Sequence, residues 1–210
     1  MHSDVVVVAA PGRLPRIECR GGLTARCTEP DTVHLVSAAA TPLGGDTITI
    51  RLVVQPGARL RLRSVAATVV LPGAGCRDSQ AVWDVEVCGE LDIDTEPTVV
   101  AADARHRSTV VVRLAQDARL RVRERVQIGR TDETQGFWSG GLCADLGGVP
   151  LLRHRVELGP GAAADDALGT PLACVSELRY PDPATDAAGT TLNLAGGGSL
   201  STWQGARLYS

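Results

Sequence analysis

From Ile48 to Arg63 the chain alternates with a period of two. Ile48, Ile50, Leu52 and Val54 fall on one side of an extended backbone, and Pro56 and Gly57 then turn it. Leu60 and Leu62 next alternate with Arg59, Arg61 and Arg63. Aliphatic residues at every second position mark a half-buried β-strand, not the 3.6-residue period of a helix. The same plan recurs less regularly. Strands are expected over 17–27 and 31–37, around a turn near Glu29, Pro30 and Asp31, and over 81–87, where Trp83, Val85 and Val87 share a face. Further strands are expected over 91–95, 98–103, 108–114, 119–128, 140–145 and 149–157. One helical region is expected over 162–178, with Thr170 before Pro171 as N-cap and first helical residue. Residues 1–16 read as a loose lead-in and 181–210 as a tail rich in Gly, Thr and Ser.

Two pairs of segments resemble each other. VVQPGARLRLR at 53–63 is similar to VRLAQDARLRVR at 112–123, and VEVCGELDID at 85–94 shares a strand–turn–strand logic with VELGPGAA at 156–163. Strand, tight turn and strand at uneven intervals suggest a stacked β-architecture in which each unit buries its face on the next. Aromatics make up only 3 % of the 210 residues, so Val, Leu, Ile and Ala must build the core. The expected class is all-β in a single domain, with solenoid-like stacked strands and one or two short helices; the uneven spacing argues against a strict solenoid, and an ordinary sandwich stays open.

A net charge of −3 argues against nucleic acid as the main partner. The arginines alternate with apolar residues and read as solvated strand faces. No apolar run is long enough to span a bilayer. The run at 5–10 follows Asp4 and no Lys or Arg, so it does not read as a signal peptide, and a cytoplasmic protein is expected. Cys19, Cys27, Cys76, Cys88, Cys143 and Cys174 include no Cys-x-x-Cys pair, and they read as buried structural thiols.

Asp46 follows Gly44 and Gly45, a sequence that brings backbone close to a partner or simply bonds its own turn. Glu124 shares the parity of Leu120, Val122, Val126 and Ile128. A carboxylate on that inward side needs a cation, with Arg130 nearest in sequence, or a polar passage, unless a bulge turns it outward. His34, His106 and His154 each stand singly and read as ordinary histidines. There is no P-loop, G-x-S-x-G or H-E-x-x-H motif.

In order along the chain, Thr41-Pro42-Leu43-Gly44-Gly45-Asp46, Val54-Gln55-Pro56-Gly57-Ala58, Ala66-Ala67-Thr68, Glu96-Pro97-Thr98-Val99-Val100, Ala104-Arg105-His106, the ERVQIGR segment at 124–130 and residues 148–158 resemble the ordered motifs of the UreD (UreH) family. His106 stands where that family carries an aromatic residue. The resemblance implies a largely β-helical urease accessory protein without enzymatic activity. Such a protein is a scaffold that binds apo-urease, UreF and the GTPase UreG, and helps pass nickel to the urease active site through an internal passage. GTP would bind UreG, and no cofactor is implied beyond nickel in transit. Carried over residue by residue, Asp46, Thr68 and Glu124 are the expected nickel-path residues. Two alternatives remain: a hydrolase using Asp46 and Glu124 as a carboxylate pair, and an exported β-protein linked by its cysteines.

Overall fold

The computed structural model describes residues 1–163, 165, 169–184 and 189–208, and these contain strands and no helix. In chain order the strands are β1 (His2–Ala9), β2 (Arg16–Arg20), β3 (Leu23–Glu29), β4 (Thr32–Ser37), β5 (Thr47–Val54), β6 (Arg59–Ser64), β7 (Thr68–Val70), β8 (Asp78–Val87) and β9 (Glu90–Asp94). After them come β10 (Thr98–Val100), β11 (Arg105–Leu114), β12 (Arg119–Ile128), β13 (Phe137–Leu146), β14 (Val149–Leu158), β15 (Ala173–Tyr180), β16 (Thr190–Asn193) and β17 (Ser199–Gly205). They coil into a β-solenoid of about four turns.

The coils run through two large sheets, with β13 adding a fifth parallel strand to the first. In the first, β1, β5, β8, β11 and β13 lie parallel; in the second, β4, β6, β9 and β12 do. A short third side consists of β7, β10 and the end of β12, in parallel register Thr68–Thr98–Val126, and a Leu43–Leu71 bridge continues it. Antiparallel strands cover both ends. These are β2 and β14 on the first sheet, and β3 and the β15–β17–β16 group on the second. Such covers occupy the hydrogen-bonding edges that an open parallel stack presents.

Stacking explains the alternation. In the first sheet Val7, Leu52, Val85, Val112 and Ala144 are register partners, and each has 0 % of its surface exposed. They face Val33, Leu62, Ile93 and Val122 of the second sheet across one apolar cluster. Each such aliphatic side chain contributes about 1.5–3 kcal/mol on burial. A smaller cluster holds Val70, Val100, Val126, Ile128, Trp138 and Leu158. The similar segments 53–63 and 112–123 are equivalent corners two coils apart, since Val54, Val87 and Leu114 are partners and Arg59, Glu90 and Arg119 are partners. The second similarity fails: 156–163 begins in β14, an antiparallel edge strand.

The arginines are not merely solvated. Across β6, β9 and β12 the outward residues run Arg–acid–Arg. Arg63 reaches Asp92 at 2.7 Å, Arg59 reaches Glu90 at 3.0 Å, and Arg121 bridges Asp92, Asp94 and Glu177 at 3.2, 3.1 and 3.1 Å. Arg125 meets Asp94 at 3.2 Å.

Three expectations are corrected. The helix over 162–178 is absent where the chain is described: β15 pairs antiparallel with β12, burying Cys174, Ser176, Leu178 and Tyr180. Residues 164 and 166–168 of that segment lie outside the described residues. Thr170 donates to the Asp165 carboxylate and caps no helix. Residues 1–16 are not a loose lead-in, because β1 lies parallel on β5 with Val5, Val7 and Ala9 buried. Its unbroken valine run hides the alternation, since Val6 and Val8 on the other side are half-buried. The tail from 181 contains β16 and β17, which extend the second sheet and bury Ser199 and Ser201.

Candidate functional site

Between the two apolar clusters runs a polar layer. On β12 Glu124 separates Val122 of the larger cluster from Val126 of the smaller, and on β11 His106 and Ser108 precede Val110 with the same parity. Ser79 of β8 is the register partner of His106, and Ser176 of β15 that of Glu124. His106 and the three serines are buried.

Three spaces adjoin this layer. An outer cleft of about 480 Å³ is lined by Asp46, Asp78, Ser79, Arg105, His106 and Arg107, among others. An inner chamber of about 210 Å³ is lined by Thr41, Thr68, Thr98, His106, Ser108, Glu124 and Trp138, among others. A cavity of about 40 Å³ lies beyond Glu124, against Trp138, His154 and Ser176. The chamber has room for several waters, and its polar walls supply partners for them.

Glu124 points inward, as its parity predicts, and no bulge interrupts β12. Arg130 does not pair with it; that guanidinium binds Glu133. The Glu124 carboxylate instead accepts a hydrogen bond from Ser108 Oγ at 2.9 Å. Burial lifts its pKa to about 7, and the Ser108 bond offsets only part of that rise. The residue keeps some accessible surface, which the chamber and the small cavity account for. Its charge, after burial, is a second cause raising the pKa of the Cys174 thiol.

Asp46 is 6 % exposed and bonds its own turn. Its carboxylate accepts from Thr41 Oγ1 at 2.9 Å and the Leu43 N–H at 2.8 Å, and it meets the Met1 ammonium at 2.5 Å. The pKa falls below the ordinary carboxylate value: burial, the largest single influence, raises it, but these hydrogen bonds and the ammonium outweigh burial. Gly45 has a φ of 91°, and a Cβ on Gly44 would lie 1.7 Å from the Cys76 carbonyl oxygen. The double glycine thus packs the turn on the neighbouring loop.

The structure therefore brings Thr68 and Glu124 to one chamber and places Asp46 on the outer cleft, joined to the chamber through Thr41. Asp46 and Glu124 line no common space among the three, so they do not form the pair that a carboxylate hydrolase needs. Among the described residues no group of three His, Cys, Asp or Glu is placed to hold a metal ion. All six cysteines are free thiols; Cys174 is buried, Cys76 is exposed and the rest are intermediate, so the expectation of uniformly buried thiols is corrected.

Sequence reasoning missed His106, Ser108, Thr41 and Ser79. His106 Nδ1 lies 2.9 Å from Ser79 Oγ, and burial drives its pKa down to about 4, leaving a neutral ring at pH 7. The available signal was the alternation of Arg105 and Arg107 with His106 and Ser108, which starts β11 three residues before the expected position. His34 is half-buried and hydrogen-bonded to Thr28 Oγ1 at 2.8 Å, and His154 has a buried Nε2 with no partner among the described residues, beside the small cavity.

The family model described as UreD urease accessory protein matches residues 13–204. A urease accessory protein UreD of Frankia alni is 40 % identical over 224 residues, covering 94 % of this chain and 75 % of that protein. The urease accessory protein UreD 1 of Saccharopolyspora erythraea is 38 % identical, covering 87 % of this chain and 75 % of its own length. A UreD of Streptomyces coelicolor is 35 % identical over 71 % of this chain and 61 % of its own.

Proposed function

The chain belongs to the UreD family of urease accessory proteins, and on that premise we propose that it is a scaffold on which nickel is handed to urease. It binds apo-urease together with UreF and UreG, and nickel in transit passes through the polar layer, by way of Asp46, Thr68 and Glu124. Nickel is cargo here. The chain keeps no tightly bound cofactor and catalyses no reaction, and the nucleotide belongs to UreG. The site of action is the cytoplasm; no helix among the described residues is long and apolar enough to cross a membrane.

The observation that carries this reading is the Glu124 carboxylate between two apolar clusters, with one serine as its hydrogen-bond donor and a chamber of about 210 Å³ beside it. A buried carboxylate so lightly compensated is costly to folding, which favours a role for it outside the core. Oxygen donors that do not converge into a full coordination sphere suit a cation that must be released again.

The test is the nickel content of urease purified from cells that also express UreF, UreG and either this chain, Glu124→Ala or Asp46→Ala. Glu124→Ala is expected to lower loading several-fold while still co-purifying with urease. Asp46→Ala is expected to lower it too, partly by loosening the 41–46 turn, so its melting temperature is recorded alongside. Full loading with both variants removes the passage, and failure of the unaltered chain to co-purify with urease removes the scaffold.

A further inference from the structure

We propose that His106 is a nitrogen ligand that nickel meets at the neck between the outer cleft and the inner chamber, an assignment that rests on the passage reading above. Of the residues lining the two spaces, His106 alone lines both. It is 5 % exposed and sits on the inward side of β11, two residues before the serine that holds Glu124.

Two hydrogen-bonded pairs join the linings of the two spaces. In each, one member lines the cleft and the other lines the chamber. Ser79 with His106 is the first pair, at 2.9 Å, and Asp46 with Thr41 is the second, also at 2.9 Å. Backbone bonds hold the two sides together: the Gln80 N–H donates to the Asp46 carbonyl at 3.0 Å, and the Gly45 N–H to the Asp78 carbonyl at 2.7 Å.

The serine also sets the tautomer. Ser79 Oγ donates to the Arg105 carbonyl at 3.5 Å, so we assign the shared proton to His106 Nδ1, which leaves the lone pair on Nε2. Among the described residues Nε2 has no hydrogen-bond partner, and it is the ring atom available to a cation. A second hydrogen bond that fixes ring and tautomer is the usual support of a histidine ligand. The cleft carries three arginines, Arg105, Arg107 and Arg155, against the three carboxylates of Asp46, Asp78 and Glu157. Its net field therefore does not concentrate a dication, and retention at the neck must come from coordination. A single imidazole nitrogen, with water oxygens completing the sphere, favours a borderline metal such as nickel over calcium or magnesium.

The probe is nickel sulfate added to the purified full chain, with the histidine ring protons followed by NMR. The His106 ring signal is expected to broaden selectively and reversibly, and EDTA to restore it. His106→Phe, a variant of similar bulk, is expected to remove one class of nickel binding in calorimetry. Ser79→Ala, which frees the ring, is expected to weaken that class about tenfold or more. Circular dichroism checks the fold, and His106→Gln replaces the Phe variant if that one does not fold. Broadening of His2 and His34 alone means surface binding only and overturns the assignment. The outcomes also separate this assignment from the passage. A silent His106 together with nickel-poor urease from Glu124→Ala leaves the passage standing and removes the neck ligand. A responsive His106 with full loading by Glu124→Ala keeps the neck site and removes the chamber route.

Discussion

Glu124 couples the interior to pH in a direction opposite to that of a salt-bridged carboxylate. Its folded pKa of about 7 lies above the ordinary value of 4.5. Between those values the folded chain holds a proton that the unfolded chain has released. The stability it contributes is therefore complete below the lower value, falls as pH rises through the interval, and is lost above the upper one. The interval corresponds to about 3 kcal/mol. Glu124→Gln keeps an acceptor for Ser108 and cannot ionise. Relative to the unaltered chain it is expected to gain about 3 kcal/mol between pH near 4 and pH near 8, read by urea unfolding at both. His106 titrates in the opposite sense but is common to both proteins, so it cancels. No change in the difference would place Glu124 in water. The inward carboxylate was legible because four aliphatic neighbours fix its parity, whereas its partner was not. Ser108 and His106 lie on another strand, and a single sequence does not give the register between coils.

At the scale of elements, the ladder of β6, β9 and β12 shows what alternation conceals. An outward Arg at every second position reads as a solvated face, and only stacking reveals that the coil between two arginine rows carries Glu90, Asp92 and Asp94. Asp94 is the central carboxylate, with Arg121 and Arg125 at 3.1 and 3.2 Å. Asp94→Asn is expected to cost about 1–2 kcal/mol, between the values for exposed and buried pairs, and to cost less in high salt. Denaturation at two salt concentrations checks this; a salt-independent cost would assign the loss to packing. The helix expected over 162–178 rests on a local signal, Thr170 before Pro171. The strand forms because Cys174, Ser176, Leu178 and Tyr180 find a buried face on β12.

For the molecule as a whole, stability is a sum over adjacent coils, so the cost of a change depends on where in the stack it falls. Leu91 is 1 % exposed and lies between Leu60 and Leu120 of the coils on either side. Leu91→Ala is expected to cost about 2–5 kcal/mol. Leu35→Ala in β4, nearer the covered end of the second sheet, is expected to cost less, and equal losses in chemical denaturation would contradict coil-by-coil coupling. The charge ladder adds a rule of a different kind. Because sign alternates from coil to coil, the stack has a parity. Duplicating a single coil would set arginine row against arginine row, or acid against acid, while duplicating two restores the order. Along this face the order of sign is kept only when coils are added or removed in pairs, and a coil grafted from one chain into another must match its neighbours in sign as well as in shape.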